Sequence, residues 1–269
     1  MDKNKQAIDK MVYREEYQRK VNKKELSTCT ILGTEVLAGN MEWLVKYLCE
    51  NIKDLSGDYL TITATNEIIM AYEDEKFFKC QNGGVMSIPD GGPLKTYGQR
   101  KGHMEMERIT GPDLMLELFK ASEKMGLRHY FYGTTQDTLD KMRTKLENDY
   151  STLQIAGMKP SKFRNLTEEE DRRIVKEINA TNPDFIWFSL GAPKGNYFAA
   201  AHQGILKGFM MSVGAGFDYY ADNIKRAPEW MQTHDLEWLY RVFQEPKRMM
   251  KRYFNIIPKF LWLAYIRKK

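Results

Sequence analysis

Six short apolar, β-rich runs recur along the chain, at residues 59–62, 85–88, 129–132, 153–156, 185–190 and 209–213. Between most of them the apolar positions fall at spacings of three and four, the repeat of a helix with one buried face. Helices are predicted over 67–78, 136–150, 165–181 and 196–207. In the second, Leu139, Met142 and Leu146 mark the inward stripe. The third opens on Thr167-Glu-Glu-Glu170, a capping-box pattern, and sets Ile174 and Ile178 on one face. Alternation of this kind predicts an α/β fold, a Rossmann-like and mostly parallel sheet flanked by helices. The chain divides into a polar N-terminal arm (1–25), an α/β core (26–224) and a C-terminal helical appendage (225–269).

In such a sheet, ligands bind beyond the carboxyl ends of the strands. The segments there are Thr63-Ala-Thr-Asn66, Pro89-Asp-Gly-Gly92, Gly133-Thr-Thr135, Gly191-Ala-Pro-Lys194 and Gly214-Ala-Gly-Phe-Asp218. Glycine lets backbone approach a phosphate closely, and the following helix offers free N–H groups. A phosphorylated or nucleotide-linked ligand fits them, although each segment taken singly reads as readily as a turn. Familiar signatures are missing. There is no G-x-x-x-x-G-K-[ST] loop, and Gly214-Ala-Gly216 starts a dinucleotide fingerprint that Tyr219 ends. No nucleophile elbow occurs, and His103, His129, His202 and His234 have no zinc spacing. His129 reads as a structural residue of a strand. Glu73-Asp-Glu75 reads as a solvated mid-helix face. No Asp-x-Asp pair is present to hold a divalent metal, and no metal or other cofactor is expected; if a diphosphate leaves here, arginines and backbone N–H groups must stabilise it. Asp90 stands out: it follows an apolar strand and Pro89 and precedes two glycines, the place for a general base at the top of a sheet.

The chain has 269 residues, 42% hydrophobic and 29% charged, an ordinary globular composition. Three cysteines without metal spacing, no secretory leader pattern and no run long enough to span a bilayer lead us to expect a cytoplasmic protein. The charge is uneven. Residues 225–269 carry eleven Lys or Arg against four acids, a net +7, whereas the whole chain is +5. A basic tail seeks an anionic partner, nucleic acid or membrane headgroups. Residues 246–269 hold eight basic side chains, no acid and five aromatics. Met249, Met250, Tyr253, Phe254, Ile257, Phe260, Leu261 and Trp262 recur at helical spacing between the lysines and arginines, and Pro258 is expected to break or kink the helix. This pattern suits a segment lying in the interface of an anionic leaflet. The competing class is a nucleic-acid-binding module built on the same tail. No nucleic-acid partner is expected, because the body has no basic stripe and the aromatics are not spaced as stacking platforms.

From Ile31 to Phe254 the chain resembles the WecG/TagA/CpsF glycosyltransferases of bacteria. The motifs, in order, are Ile31-Leu-Gly33, Met41-Glu-Trp43, Pro89-Asp-Gly91, Arg108-Ile-Thr-Gly-Pro-Asp-Leu114, Leu190-Gly-Ala-Pro-Lys194, Gly214-Ala-Gly-Phe-Asp218, Arg226-Ala-Pro-Glu-Trp230 and Leu236-Glu-Trp-Leu-Tyr-Arg241 followed by Glu245-Pro-Lys-Arg248. The resemblance implies inverting, metal-independent transfer of a sugar from a UDP-sugar to a polyprenyl-diphosphate-linked sugar. N-acetylmannosamine is the expected donor sugar, and glucose or another hexose the alternative. It implies a peripheral protein on the inner face of the plasma membrane, able to self-associate as a homo-oligomer. By the same resemblance Asp90 is the catalytic base and Arg108 stabilises the leaving UDP. Donor or nucleotide contacts fall to Thr63, Asn66, Gly191, Lys194, Gly195, Gly214, Gly216 and Asp218. Arg241, Arg248 and Arg252 of the appendage would hold the lipid diphosphate or UDP. Two positions depart from the family pattern: Gly195 stands where glutamine is usual, and Thr65 where asparagine is usual.

Overall fold

A computed structural model describes residues 17–267, without the side chains of Arg248 and Arg252. The first sixteen residues of the expected N-terminal arm lie outside that range. The described strands are β1 (Thr28–Ile31), β2 (Thr34–Leu37), β3 (Tyr59–Thr63), β4 (Met86–Pro89), β5 (Arg128–Gly133), β6 (Gln154–Lys159), β7 (Phe185–Ser189) and β8 (Phe209–Ser212). They form one sheet in the order β1-β2-β4-β3-β8-β7-β5-β6. Strands β3 to β8 are the six apolar runs. The β1–β2 hairpin is the addition, antiparallel within itself and parallel where β2 meets β4. Its turn is Leu32-Gly33, both with positive φ (47° and 87°). That is the primed-turn geometry that matches strand twist, but four-residue strands give little periodicity to read.

The sheet is covered on both faces. Strand β7 shows how: Phe185 and Trp187 face one layer, Ile186 and Phe188 the other. Trp187 meets Phe119 at 5.8 Å between ring centroids, and Phe188 meets Phe198 at 5.0 Å. Parallel strands buried on two sides read as continuous apolar runs, which is why the sequence displays them. The helices between strands are α1 (Met41–Glu50), α2 (Ile52–Leu55), α3 (Thr65–Glu73), α4 (Glu75–Gly83), α5 (Gly92–Arg100), α6 (Gly111–Met125), α7 (Gln136–Asp149), α8 (Glu168–Ala180), α9 (Lys194–Ala201) and α10 (Gly216–Tyr220). The Thr167 hydroxyl caps α8 at the Glu170 N–H, with Glu170 reaching back to complete the box. His129 is fully buried and its Nδ1 accepts from Trp187 Nε1 at 2.9 Å. Burial pushes its pKa down to about 3, so it is a neutral core residue.

Three elements differ from the sequence reading. The helix expected over 67–78 is two helices. Asp74 is extended (φ −128°) and its carboxylate accepts from the Phe77 N–H at 3.0 Å, so a side chain caps a new helix where the period alone ran on. Glu73-Asp-Glu75 is therefore a helix junction and not a mid-helix face. The helix expected over 196–207 spans Lys194–Ala201, because the chain turns at Gly204 (φ 74°), whose N–H bonds Gly57 O at 2.8 Å. Pro258 does not end its helix.

The C-terminal part comprises α11 (Glu229–Thr233), α12 (Glu237–Gln244), α13 (Pro246–Leu261) and a wide helical turn, Trp262–Ile266. No helix among the described residues is long and apolar enough to cross a membrane. Helix α13 passes through Pro258 because it is held from outside. Phe260 and Leu263 are buried among Ile68, Ile69 and Leu94, and Phe260 meets Tyr97 edge-on at 6.5 Å. Lys259 pairs with Glu73. The apolar residues of the tail thus divide. Met249, Phe260 and Leu263 face the core, while Met250, Phe254, Leu261, Trp262 and Ile266 are exposed. Replacing Phe260 by Ala is expected to cost about 3 kcal/mol, as for a buried aromatic elsewhere. Urea unfolding checks this, and a loss under about 0.5 kcal/mol would show that the tail is a surface attachment.

Candidate active site

A cleft of about 370 Å³ opens above the carboxyl ends of β3 and β4. Its floor is the two strand-end segments, Ala64 to Asn66 and Asp90 to Gly92. Its far wall is the C-terminal part, through Asp235, Glu237, Trp238, Arg241, Met249, Tyr253, Ile256 and Ile257. Gly92 lets that wall come close, since a Cβ there would meet the Asp235 Cβ at 3.1 Å.

Asp90 is fixed by its backbone: its N–H donates to Thr63 O at 2.9 Å, which continues the β3–β4 ladder by one residue. Burial raises its pKa to about 6; Arg108 opposes the shift, and Glu237, Glu67 and Asp113 add to it. A carboxylate with that pKa is ionised at neutral pH yet basic enough to take a proton in a transition state. Arg108 lies in the loop between α5 and α6. Its Nε donates to the Asp90 carbonyl at 2.8 Å and its Nη2 to Glu237 Oε2 at 2.6 Å. Nη1 stands 3.9 Å from Asp235 Oδ1. Both Arg108 and Glu237 are mostly buried, with side-chain exposures of 16% and 11%.

Glu237 is held from its other side. Arg226 Nε stands 3.7 Å from Glu237 Oε1, and its Nη1 donates to Asp113 at 2.6 Å. Burial alone would raise the Asp113 pKa, but Arg226 and the Thr110 hydroxyl hold it below the usual carboxylate value. Thr110 caps α6 through the Asp113 N–H. A continuous chain of charges therefore runs from the start of α6 through Arg226, Glu237 and Arg108 to the backbone of Asp90. Arg241 lines the cleft beside it. Its Nη2 pairs with Glu245 at 3.1 Å and its guanidinium lies 5.5 Å from the centre of the Tyr219 ring. Its Nη1 is buried with no hydrogen-bond partner among the described residues, a donor available to an anion.

Of the residues singled out from sequence, Asp90, Arg108, Asn66 and Arg241 come together in this cleft. Thr63 does not line it: its hydroxyl lies in a buried polar cluster with Gln81, while Thr61 bonds Ser87 at 2.7 Å. What Thr63 supplies to the site is its carbonyl. Gly191, Lys194, Gly195, Gly214, Gly216 and Asp218 follow β7 and β8 on the same edge of the sheet but outside the cleft lining. Lys194 is exposed and reaches Arg164 O at 3.4 Å. Asp218 accepts from Asn223 at 3.2 Å, a loop contact. The Cβ of any residue at 195 would lie 2.1 Å from Ser212 Oγ, so glycine belongs to the packing of α9 on β8. Arg248 and Arg252 lie on α13, with side chains outside the described set. Sequence reasoning missed Asp235, Glu237 and Arg226 as parts of the site. They read as ordinary charges in a basic tail, and only the recurrence of the Arg226 and Leu236 motifs hinted otherwise.

A doubly wound sheet with a half-buried carboxylate and two arginines in one cleft at the carboxyl ends of its strands fits an enzyme that binds an anionic ligand. Comparison with known proteins gives the family. The model described as "Glycosyl transferase WecG/TagA/CpsF family" matches residues 29–269, and the chain belongs to this family and is a glycosyltransferase. A relative from Bacillus subtilis (strain 168), an N-acetylglucosaminyldiphosphoundecaprenol N-acetyl-beta-D-mannosaminyltransferase, is 28% identical over 87% of this chain and 90% of its own. One of the same name from Bacillus spizizenii is 25% identical over 81% and 82%.

The charge chain makes a checkable statement. With Asp90 in the role of base expected from the sequence, sugar transfer should fall as pH drops through about 6, where its carboxylate takes up a proton. In Glu237→Gln a negative charge beside Asp90 is gone. The ionised form becomes easier to reach, and the acid limb of kcat/KM should move to lower pH by roughly half a unit, with kcat reduced as Arg108 loses its anchor. An unmoved limb with lowered stability would mean that Glu237 only docks the C-terminal part.

Proposed function

We propose that the protein transfers N-acetylmannosamine from its UDP derivative to undecaprenyl-diphosphate-linked N-acetylglucosamine, as the names of its two relatives describe for them. The observation that carries this reading is Asp90, half-buried with a raised pKa, in the same cleft as Arg108 and Arg241 of a chain matched by the family along nearly all its length. Asp90 takes the proton from the acceptor hydroxyl while that oxygen bonds to the anomeric carbon. The bond from that carbon to the diphosphate oxygen breaks, and UDP leaves with the electron pair. One displacement inverts the anomeric centre. Arg108 and Arg241 line the same cleft, and in this reading they neutralise the charge that develops on the diphosphate, with no metal required.

A different hexosyl donor is the second reading. It rests on Gly195, where the family usually has glutamine, although that position packs against Ser212 outside the cleft lining. UDP release from a panel of UDP-sugars, with a short-chain polyprenyl-diphosphate–GlcNAc acceptor and with EDTA present, separates the two. Turnover with UDP-ManNAc is expected. Turnover with UDP-glucose alone would move the donor to the second reading. Asp90→Asn should lower kcat about 10²–10⁴-fold. Its fold should not suffer. Because the folded pKa of Asp90 is raised, the stability of the neutral carboxyl is full below about pH 4 and lost as pH rises through about 6. At pH 8 the Asn variant should therefore melt no lower than wild type.

The protein works, in this reading, at the inner face of the plasma membrane. The exposed Met250, Phe254, Trp262 and Ile266, with lysines between them, form a face suited to an anionic interface. Each Lys or Arg near such a surface adds about 1 kcal/mol. Flotation with vesicles containing an anionic phospholipid should retain the wild type and release Phe254→Asp/Trp262→Asp. Equal flotation of both would remove this face as the contact.

A further inference from the structure

The cleft has a polar part, which includes Asp235, Glu237 and Arg241, and a stretch along α13 that is mostly apolar. Asp90, Arg108 and Asn66 stand opposite Met249, Tyr253, Ile256 and Ile257, all on α13. An apolar wall of this extent suits a ligand that has an apolar part beside its polar one. A second depression begins where that wall ends. It is lined by Pro93 and Thr96 of α5, by Phe260 and Leu261 of α13 and by Tyr265 and Ile266 of the turn that follows. Pro93 and Thr96 line both cavities, so the two adjoin along α5.

The groove is built and not incidental. Phe260 at its base is 1% exposed and packs with Tyr97, as does Tyr265 at 5.5 Å. Leu261 and Ile266 on its rim are 46% and 71% exposed, and with Trp262 they continue into the outward apolar face of the tail. Arg100 sits at the edge, its guanidinium 5.5 Å from the centre of the Tyr265 ring. A ligand that fills both cavities has a polar head at Asp90 and the arginines, then an apolar strand running between α5 and α13 toward the exposed apolar face.

We propose that the groove between α5 and the end of α13 binds the first isoprene units of the acceptor's polyprenyl chain, next to its diphosphate. This rests on the acceptor reading above and adds the place where the lipid leaves the active site. Apolar contact along the groove contributes to acceptor affinity in proportion to the chain length it buries, and leaves the donor untouched. It also sets a direction. The diphosphate is held near Arg108 and Arg241, and the rest of the lipid emerges at Leu261 and Ile266, on the face that carries Trp262.

The test uses the full chain without vesicles or detergent, and acceptors GlcNAc-diphosphate-prenyl with one, two or three isoprene units. The wild-type acceptor KM should fall roughly tenfold per added unit, about 1.4 kcal/mol each. In Leu261→Asp/Ile266→Asp that dependence should flatten, with unchanged KM for UDP-sugar and for the one-unit acceptor, which also reports that the variant is folded. Ile266→Met, which keeps an apolar rim, should behave as wild type. A wild-type KM independent of chain length would overturn the proposal. So would the same length dependence in wild type and the Asp variant, which would put the chain elsewhere. No turnover with any of the three acceptors would instead overturn the acceptor reading, and the groove's occupant with it.

Discussion

The guanidinium of Arg108 is where the two parts of this protein meet. One edge binds the carbonyl of Asp90 in the core and another binds Glu237 in the C-terminal part. Neither contact is strong evidence for stability, because an ion pair that is mostly buried must overcome the desolvation of both charges. What the arrangement gives is position. An arginine anchored at two of its edges keeps little freedom at the third, so its remaining N–H groups are aimed before a substrate arrives. The far wall of the cleft is made by α12 and α13, and Glu237 links that wall to Arg108.

The same geometry sets the chemistry of Asp90. A strand end buried beneath a second layer is a poor place for a charge, and the raised pKa follows from that burial before any neighbour is counted. Arg108 favours the ionised form while Glu237, Glu67 and Asp113 oppose it. The balance leaves a base that is charged at neutral pH and still able to accept a proton. In the proposed reaction the arginines serve the leaving-group side of the same problem, since a departing diphosphate needs positive charge already in place.

Helix α13 serves two surfaces at once. Its inward residues complete the cleft and a small core with α3 and α5, and its outward residues make an apolar face among lysines. The inward packing explains why Pro258 is tolerated: tertiary contacts on both sides of the proline outweigh the one hydrogen bond it lacks. Its polar positions, Lys247, Lys251, Asn255 and Lys259, recur every fourth residue on one side, and its apolar residues share one wide arc on the other. Spacing along that arc does not tell which apolar residues are covered by the core and which stay exposed.

The sequence by itself determined the sheet, its helical layers and the residue at its functional edge. Strands buried on both faces are written as runs of Phe, Ile, Met and Trp, and the cap of α8 is written as Thr and Glu three apart. Asp90 was legible because a strand, a proline and two glycines place it locally. The hairpin β1–β2 and the break at Asp74 were not, since each depends on a few backbone angles or one side-chain cap. Nor was the site as an assembly. Arg108 and Glu237 lie 129 positions apart, and an acid in a basic tail looks the same whether solvent or an arginine surrounds it. Pattern along a chain records how much each segment is buried. Which charge faces which is decided only when the C-terminal helices close over the carboxyl ends of β3 and β4, because Coulomb interactions and hydrogen bonds depend on distances that the order of residues does not contain.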